Sequence, residues 1–262
     1  MGTFHIECDE GWGPSAFRDP GSFTRIGSER RFGVELEYFT VEDWESLEGE
    51  TVFGAKYDGS VDGEFYSPIM QGDNGLAECE KFCDLASRLD FTVDPLESGL
   101  HIHLDMSSEK LKGLKSIALG YHLTRKYWQS AVHPHRNTTE WCRKHAWTGD
   151  DLKPIRSLEA FHDFAWRTRR HSWINLAAYQ KHHTFEVRNH ESTLNGADVV
   201  AWVTAHARFT DAMARMGDGT IEQIFHRKQL PGLVREMTRI IDNPIVSAKL
   251  NEKILANSAE LA

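Results

Sequence analysis

The sequence predicts an α+β fold in which a largely antiparallel sheet is packed on one face by helices. Three segments, residues 31–40, 99–105 and 183–191, alternate apolar and polar residues with the period of two that is typical of strands. Longer segments with helical periodicity lie between and after them. An antiparallel sheet accommodates such strands because only one of its faces must be buried.

Length and charge limit the class of protein. The 262 residues are enough for one large domain, and we expect a single domain over 1–262. The net charge of −9 argues against broad nucleic-acid binding. No apolar run approaches the roughly 20 residues of a membrane helix, and the first residues do not resemble a secretory leader. Four cysteines without metal-ligand pairing fit a reducing environment, so we expect a cytoplasmic protein with no membrane partner.

The first part of the chain predicts an irregular arm followed by two strand regions and a helix. Residues 1–30 are Gly-rich and aperiodic, which predicts an N-terminal arm. The first strand is predicted at 31–40. Residues 73–89 repeat apolar side chains at helical spacing, and 91–106 predict one or two strands.

A helix and a long loop are predicted next. Ser107 or Ser108 is expected to cap a helix that runs to about residue 131. Residues 132–156 contain two prolines and many His and Trp residues without a period, which predicts a long loop or insertion. A short helix is predicted at 157–170.

The last part predicts a hairpin and helices. Residues 172–179 and 183–191 are typical of neighbouring strands, and 196–216 form an amphipathic helix that should stop at a glycine. The tail, 218–262, is predicted to be helical and interrupted at its two prolines.

The polar faces of the three strands carry carboxylate, imidazole and guanidinium groups. The groups are Glu35 and Glu37 in the first strand, His101, His103 and Asp105 in the second, and Glu186, Arg188 and His190 in the third. A solvated face usually carries Lys, Thr and Ser as well, and these faces carry almost none. The same pair spacings recur elsewhere in the chain, but outside strongly alternating strands. We therefore expect this face to form an active site for metal and phosphate chemistry.

The ordered set ELE, HIH and EVR resembles the catalytic core of the glutamine synthetase and glutamate–cysteine ligase superfamily. The closer resemblance is to its amidoligase family of carboxylate–amine ligases. Residues 57–76 are similar to a D-G-S…E-x-x-S-P segment of that family, and 135–142 to an Arg-containing stretch before an aromatic–Cys pair. Residues 183–203 resemble its E-F-R strand and the turn into a helix. The likeness spans about 31–210 and implies a glutamine-synthetase-like sheet.

The resemblance implies an ATP-dependent reaction in two steps. Such ligases phosphorylate a carboxylate to an acyl phosphate, and an amine then displaces phosphate to form an amide. The implied cofactors are ATP and Mg²⁺, or Mn²⁺, which tolerates a histidine ligand better. The implied partners are a carboxylate and an amine, each a small molecule or a peptide, and an oligomer is possible.

The resemblance also implies roles for single residues. The expected metal ligands are Glu35, Glu37, Glu64, His101 and Glu186. His103 and Arg188 are expected at the phosphates, with Arg188 stabilising the transferred phosphoryl group. The expected catalytic set is therefore Glu35, His103 and Arg188. Arg136 is a candidate for nucleotide phosphate, and Ser67 and Asn175 for substrate.

Other interpretations of these residues remain open at this point. Glu64 could be an ordinary loop carboxylate, Asn175 could only satisfy the edge of the sheet, and Arg136 could be a solvated loop arginine. The tryptophans could line a pocket or pack in the core. Two other functions compete: a zinc-dependent metallohydrolase that uses His101 and His103, and a non-catalytic nucleotide-binding relative.

Overall fold

A computed structural model describes residues 25–38, 47, 49–57, 61 and 63–260. Within these residues the sheet has six strands: β1 (Phe32–Tyr38), β2 (Gly54–Lys56), β3 (Gly63–Tyr66), β4 (Gly99–Asp105), β5 (Ile174–Asn175) and β6 (Thr184–Glu191). Their order across the sheet is β2-β3-β1-β4-β6-β5, and every neighbouring pair is antiparallel. The predicted α+β fold with an antiparallel sheet is confirmed.

Helices cover the apolar face of the sheet. Three long helices on this side are α1 (Gly72–Arg88), α2 (Leu111–Ser130) and α6 (Gly196–Arg215). The remaining described helices are α3 (Gly149–Leu152), α4 (Leu158–Arg167), α5 (Ala178–His182), α7 (Asp218–Phe225), α8 (Leu230–Ile241) and α9 (Pro244–Glu260). Phe65 of β3 meets Phe82 of α1 with ring centroids 4.9 Å apart. The apolar strand residues Leu36, Leu100 and Ile102 are fully buried. Each such side chain stabilises the fold by roughly 1.5–3 kcal/mol through burial.

The strongly periodic segments match the prediction. The helices predicted at 73–89 and 196–216 are α1 and α6. The buried residues of α1 recur at helical spacing, whereas residues 199–207 of α6 are all buried, so the middle of α6 is enclosed by the core on every side. The segment 91–106 contains one long strand, β4. The strand predicted at 31–40 is β1, and residues 39–40 lie outside the described part of the chain, as do residues 1–24 of the predicted arm.

The predicted cap of α2 is wrong. The helix begins at Leu111, and Lys110 occupies the capping position. Ser107 is used locally instead, since its N–H donates to Asp105 Oδ1 (2.8 Å) and its hydroxyl accepts from Arg31 Nη2 (3.3 Å). An Asx turn of this kind competes with helix initiation.

The strand predicted at 172–179 is also shorter than expected. Only the two residues of β5 pair with β6, and α5 follows. The Asn175 side-chain oxygen accepts the Ala177 N–H at 3.0 Å, which turns the chain away from the sheet.

The segment 132–156, predicted as a long loop or insertion, has little regular structure but is partly buried. It contains 3₁₀ turns at Pro134–Asn137 and Glu140–Cys142 and the short α3, and it buries Trp147 and Leu152 in the core. The helix predicted at 157–170 is α4. In its described residues, 218–260, the tail is helical as predicted, and its prolines lie in the first turns of α8 and α9, where proline is tolerated. The single domain over 1–262 stays a prediction. No described helix is both long and apolar enough to cross a membrane.

The predicted position of His190 on the polar face is wrong. Ile102 lies opposite Val187, but Leu100 lies opposite His190, so β6 contains one extra residue between these pairs. This β-bulge reverses the direction in which the following side chains point. The His190 ring therefore lies on the helical face, 4.7 Å from the Trp202 ring.

His145, in the segment 132–156, is buried in the neutral form. Trp173 Nε1 donates to His145 Nδ1 at 2.8 Å, and His145 Nε2 lies 2.9 Å from His122 Nδ1. An indole nitrogen can only donate, so a proton on His145 Nδ1 would remove this hydrogen bond. Burial, together with the nearby His122 and Arg125, lowers the pKa of His145 to about 3.

This histidine should make stability depend on pH. The unfolded chain binds a proton near the ordinary pKa of 6.5, whereas folded His145 binds it only near 3. The free energy of unfolding should therefore fall as the pH decreases from 6.5 toward 3, by up to about 1.4 kcal/mol per pH unit. Urea unfolding at several pH values gives the free energy of unfolding as a function of pH. Between pH 6.5 and 3 this free energy should change less steeply with pH in His145→Phe than in the wild type. Equal slopes would contradict the assignment.

Candidate active site

The strand register brings the predicted site residues together from four neighbouring strands. Glu35 of β1 lies opposite His101 of β4, and His103 of β4 lies opposite Glu186 of β6. Glu37 lies opposite Glu64 of β3. Side chains directly opposite each other on one face of a sheet approach closely, so these residues form one cluster on the polar face.

Glu35 lies at the centre of this cluster. Its Oε2 atom is 3.5 Å from His101 Nδ1 and 3.5 Å from His103 Nε2. Glu186 Oε1 is 3.8 Å from the same His101 nitrogen and 4.0 Å from the same His103 nitrogen. The two imidazoles thus lie between two buried carboxylates.

Among the residues that the structure describes, two groups of three offer ligand atoms that lie within 4.8 Å of one another. One group is Glu35, Glu64 and His101, and the other is Glu35, His103 and Glu186. Glu35 belongs to both. His101 Nδ1 is buried and has no hydrogen-bond partner, which is unusual for a polar atom in a folded protein and suits a metal ligand. Carboxylate oxygens with one imidazole fit Mn²⁺ and are compatible with Mg²⁺.

Glu37 lies beside these groups. One of its oxygens accepts the Gly99 N–H at 2.6 Å, and the other is 3.6 Å from His101 Nε2. Its predicted role as a ligand stays a prediction. The alternative reading of Glu64 as a loop carboxylate is wrong, because Glu64 lies in β3 and is buried.

Burial raises the pKa of Glu35, Glu64 and Glu186, and the neighbouring charges decide the net direction. For Glu35 the two histidines outweigh burial, and the pKa lies well below its usual range. For Glu186 burial is outweighed by Arg188 and the histidines, and the pKa falls to about 2. His103 shows the counterpart: burial lowers its pKa, but Glu35 and Glu186 raise it to about 9. A proton on His103 thus balances the negative charge of Glu35 and Glu186, and a bound metal ion could balance the same charge instead.

Lys56 was not anticipated from the sequence. Its Nζ is 2.5 Å from Glu64 Oε1 and 3.8 Å from Glu35 Oε1, so an ammonium group lies between these carboxylates. Burial and the charge of Glu35 nevertheless raise the pKa of Glu64 to about 7. Lys56 belongs to the three-residue strand β2, which is too short to give a periodic signal. Its pairing opposite Glu64 is visible only in the structure.

Arg188 and Arg136 lie next to one another in the cluster. Arg188 Nη1 donates to Glu186 Oε1, and Arg188 Nε donates to the Trp141 carbonyl at 3.4 Å. Arg136 is 1% exposed, so its reading as a solvated loop arginine is wrong. Its Nη2 donates to the Arg188 carbonyl at 3.1 Å. Arg136 therefore positions the backbone that carries Arg188, and its assignment to nucleotide phosphate stays a prediction.

The predicted substrate residues hold the site together. Asn175 Nδ2 donates to Glu186 Oε2 at 2.6 Å, which orients that carboxylate. Ser67 Oγ accepts the Val34 N–H at 2.9 Å and joins β1 to the segment after β3. Their direct contact with substrate stays a prediction. Of the tryptophans, Trp128 and Trp173 are fully buried in the core, whereas Trp141 is 40% exposed.

Gly99 is required because two functional side chains pack against it. A Cβ atom at this position would lie 2.5 Å from Arg136 Nη2 and 2.9 Å from His101 Nε2. We expect Gly99→Ala to lower the free energy of unfolding by about 1–3 kcal/mol and to weaken Mn²⁺ binding, because His101 must move.

Urea unfolding and calorimetric Mn²⁺ titration measure these two effects. The matched control is Gly219→Ala in α7, where an added Cβ meets nothing within 4 Å. This control should be neutral or slightly stabilising, because alanine favours helix over glycine. Wild-type Mn²⁺ affinity in Gly99→Ala would contradict the placement of His101.

A cavity of about 250 Å³ opens beside the cluster. Glu35 and His103 of the cluster line it, together with Arg31 and His182, and the His182 ring lies 6.1 Å from the His103 ring. Its walls are largely apolar and include Phe32, Val34, Pro68 and Ile69. A mainly apolar cavity with a few convergent polar groups is typical of a small-molecule site.

A family model described as "Putative amidoligase enzyme" matches residues 40–210, which is more than half of the chain. The match contains β3, β4 and β6 and excludes Glu35 and Glu37 of β1. A search of the curated proteins finds no match. The family predicted from the order ELE, HIH and EVR is confirmed: the chain belongs to the amidoligase family, whose members are described as ligase-type enzymes.

Proposed function

We propose that this protein is an ATP-dependent carboxylate–amine ligase that forms an amide through an acyl phosphate. The observation that carries the proposal is the position of Glu35. It is shared by two groups of potential metal ligands and also lines the apolar cavity. Phosphoryl transfer needs charge neutralisation and positioning more than covalent chemistry from the protein, and this arrangement offers both.

Each group would hold one divalent ion. Glu35, Glu64 and His101 would hold one, and Glu35, His103 and Glu186 the other. Lys56 Nζ, which lies between Glu64 and Glu35, would have to move out of the first group. Bound Mg²⁺ or Mn²⁺ would supply neutralisation of the triphosphate charge. Arg188 adds a planar guanidinium beside the same cluster, where it can donate to phosphoryl oxygens.

The cavity is suited to the nucleoside of ATP. Phe32, Val34 and Ile69 offer apolar surface, while the phosphates would point toward Glu35 and His103. A carboxylate oxygen of the acid then attacks the γ-phosphorus, the bond to ADP breaks, and an acyl phosphate forms. The amine attacks the acyl carbon, loses a proton and releases phosphate, which leaves the amide.

A zinc-dependent hydrolase built on both histidines has less support. Among the described residues, His101 and His103 fall into different groups of potential ligands. Elemental analysis separates the two functions, because a structural or catalytic zinc survives dialysis whereas Mg²⁺ and Mn²⁺ are held loosely.

The proposal is tested by a screen for phosphate release. Purified protein is incubated with ATP, Mg²⁺ or Mn²⁺, and pairs of carboxylates and amines, and products are read by mass spectrometry. We expect phosphate release that depends on both partners and a product with the mass of the acid plus the amine minus water. ATP binding without turnover for every pair would favour a non-catalytic relative.

A further inference from the structure

A cationic patch lies at the end of the polar face opposite the cavity. It consists of Trp141, Arg143, Arg170 and His171. Two short backbone hydrogen bonds join its segments: the Arg143 N–H donates to the His171 carbonyl at 2.8 Å, and the Trp173 N–H donates to the Arg143 carbonyl at 2.9 Å. The Trp141 and His171 rings lie 5.1 Å apart. The patch is therefore one structured surface.

The positive charge of this patch departs from the character of the chain, whose net charge is −9. Arg143 and Arg170 are exposed. The pKa of His171 is lowered by partial burial and by the charges of Arg188 and Arg170. Arg143 has one acidic partner, Glu140, at 3.1 Å. An anion approaching this surface would meet a positive potential.

The patch continues into the candidate active site. The Trp141 carbonyl accepts from Arg188 Nε at 3.4 Å, and Arg188 also contacts Glu186. None of the four patch residues lines the cavity beside Glu35. In phosphoryl transfer the attacking and leaving oxygens lie roughly in line on opposite sides of phosphorus. With the nucleotide in the cavity, the acid must therefore arrive from the Arg188 end.

We propose that the cationic patch docks the acid substrate, and that this acid is a polycarboxylate. One carboxylate reaches Arg188 and is activated, and at least one further negative charge stays on Arg143 and Arg170. Trp141 and His171 flank the path between them. The inference rests on the proposed function, because that function defines which end of the site the acid enters.

The probe is tricarballylate, a tricarboxylate, compared with acetate at constant ionic strength. NMR titration of the full chain follows the indole N–H signal of Trp141, assigned by its loss in Trp141→Phe. We expect tricarballylate to shift this signal at concentrations where acetate has no effect. Tricarballylate binding no tighter than acetate binding would overturn the proposal.

Two charge variants should change the affinity for tricarballylate in opposite directions. Arg143→Gln should weaken tricarballylate binding about 2- to 5-fold, and Glu140→Gln should tighten it by a similar factor, since each changes one exposed charge. The matched control is Arg239→Gln, because Arg239 is also exposed and pairs with Glu236 at 3.2 Å in the same i,i+3 spacing. Equal binding by the Arg143 and Arg239 variants would overturn the proposal.

The titration contains no nucleotide, so its result does not depend on ATP turnover. The patch proposal and the proposed function can therefore fail separately. Unchanged binding in the patch variants together with active ATP turnover would reject the patch and retain the ligase. Altered binding without any ATP turnover would retain an anion-binding surface and reject the ligase.

Discussion

Replacing Glu35 by glutamine should lower metal-dependent ATP turnover by at least about 10³-fold, comparable with the loss of a key electrostatic group in other enzymes. Glu35 is the one residue shared by both groups of potential ligands. The amide has no negative charge and one oxygen, so both ions would lose a ligand. Phosphate release at saturating Mn²⁺ and ATP measures the effect.

The change should leave the fold intact. Glutamine has nearly the volume of glutamate, and His103 can lose the proton that Glu35 stabilises, so no unpaired buried charge need remain. A melting temperature within a few degrees of the wild type is therefore expected. Glu97→Gln is the matched control, because Glu97 is an exposed carboxylate just before β4. Wild-type turnover in Glu35→Gln, with the correct acid and amine present, would contradict the shared site.

Replacing Arg188 by alanine should reduce turnover by about 10³- to 10⁵-fold, the range found when an arginine that stabilises a transferred phosphoryl group is absent. ATP affinity should change far less, because Arg188 does not line the cavity. The measurement is kcat and the KM for ATP from the same phosphate-release assay. A lower affinity for ATP with an unchanged kcat would instead place Arg188 at the nucleotide.

The alanine variant leaves Glu186 without its partner, so a second variant is needed. Arg188→Lys keeps a cation beside Glu186 Oε1 but loses the planar fork and the donor to the Trp141 carbonyl. It should fold like the wild type and still lose most turnover. Recovery of full activity by lysine would show that charge alone is sufficient.

The polar faces of β1 and β4 were predictable because side chains two apart in a strand point the same way. This placed Glu35 with Glu37 and His101 with His103. The partners across strands were not predictable, since they depend on register. In the structure each histidine belongs to a different group with Glu35, whereas the sequence assigned His101 to metal and His103 to phosphate or substrate.

Other features depend on local geometry that has no periodic signal. The bulge in β6 moves His190 to the helical face, and nothing in the alternation of residues 183–191 indicates where an extra residue is inserted. Lys56 reaches the site from a strand of three residues. The burial of Arg136 depends on the absence of a side chain at Gly99, a contact distant in sequence. The family resemblance predicted the order of the strand motifs along the chain, but it did not predict these contacts.

The most direct measurement follows the oxygen atoms of the acid. The acid found by the screen is labelled with ¹⁸O in its carboxylate, and the phosphate released during amide formation is analysed by mass spectrometry. An acyl phosphate transfers one carboxylate oxygen to phosphorus, so each phosphate should carry one ¹⁸O atom. Unlabelled phosphate accompanied by amide formation would contradict phosphorylation of the acid at the site formed by Glu35, the two histidines and Arg188.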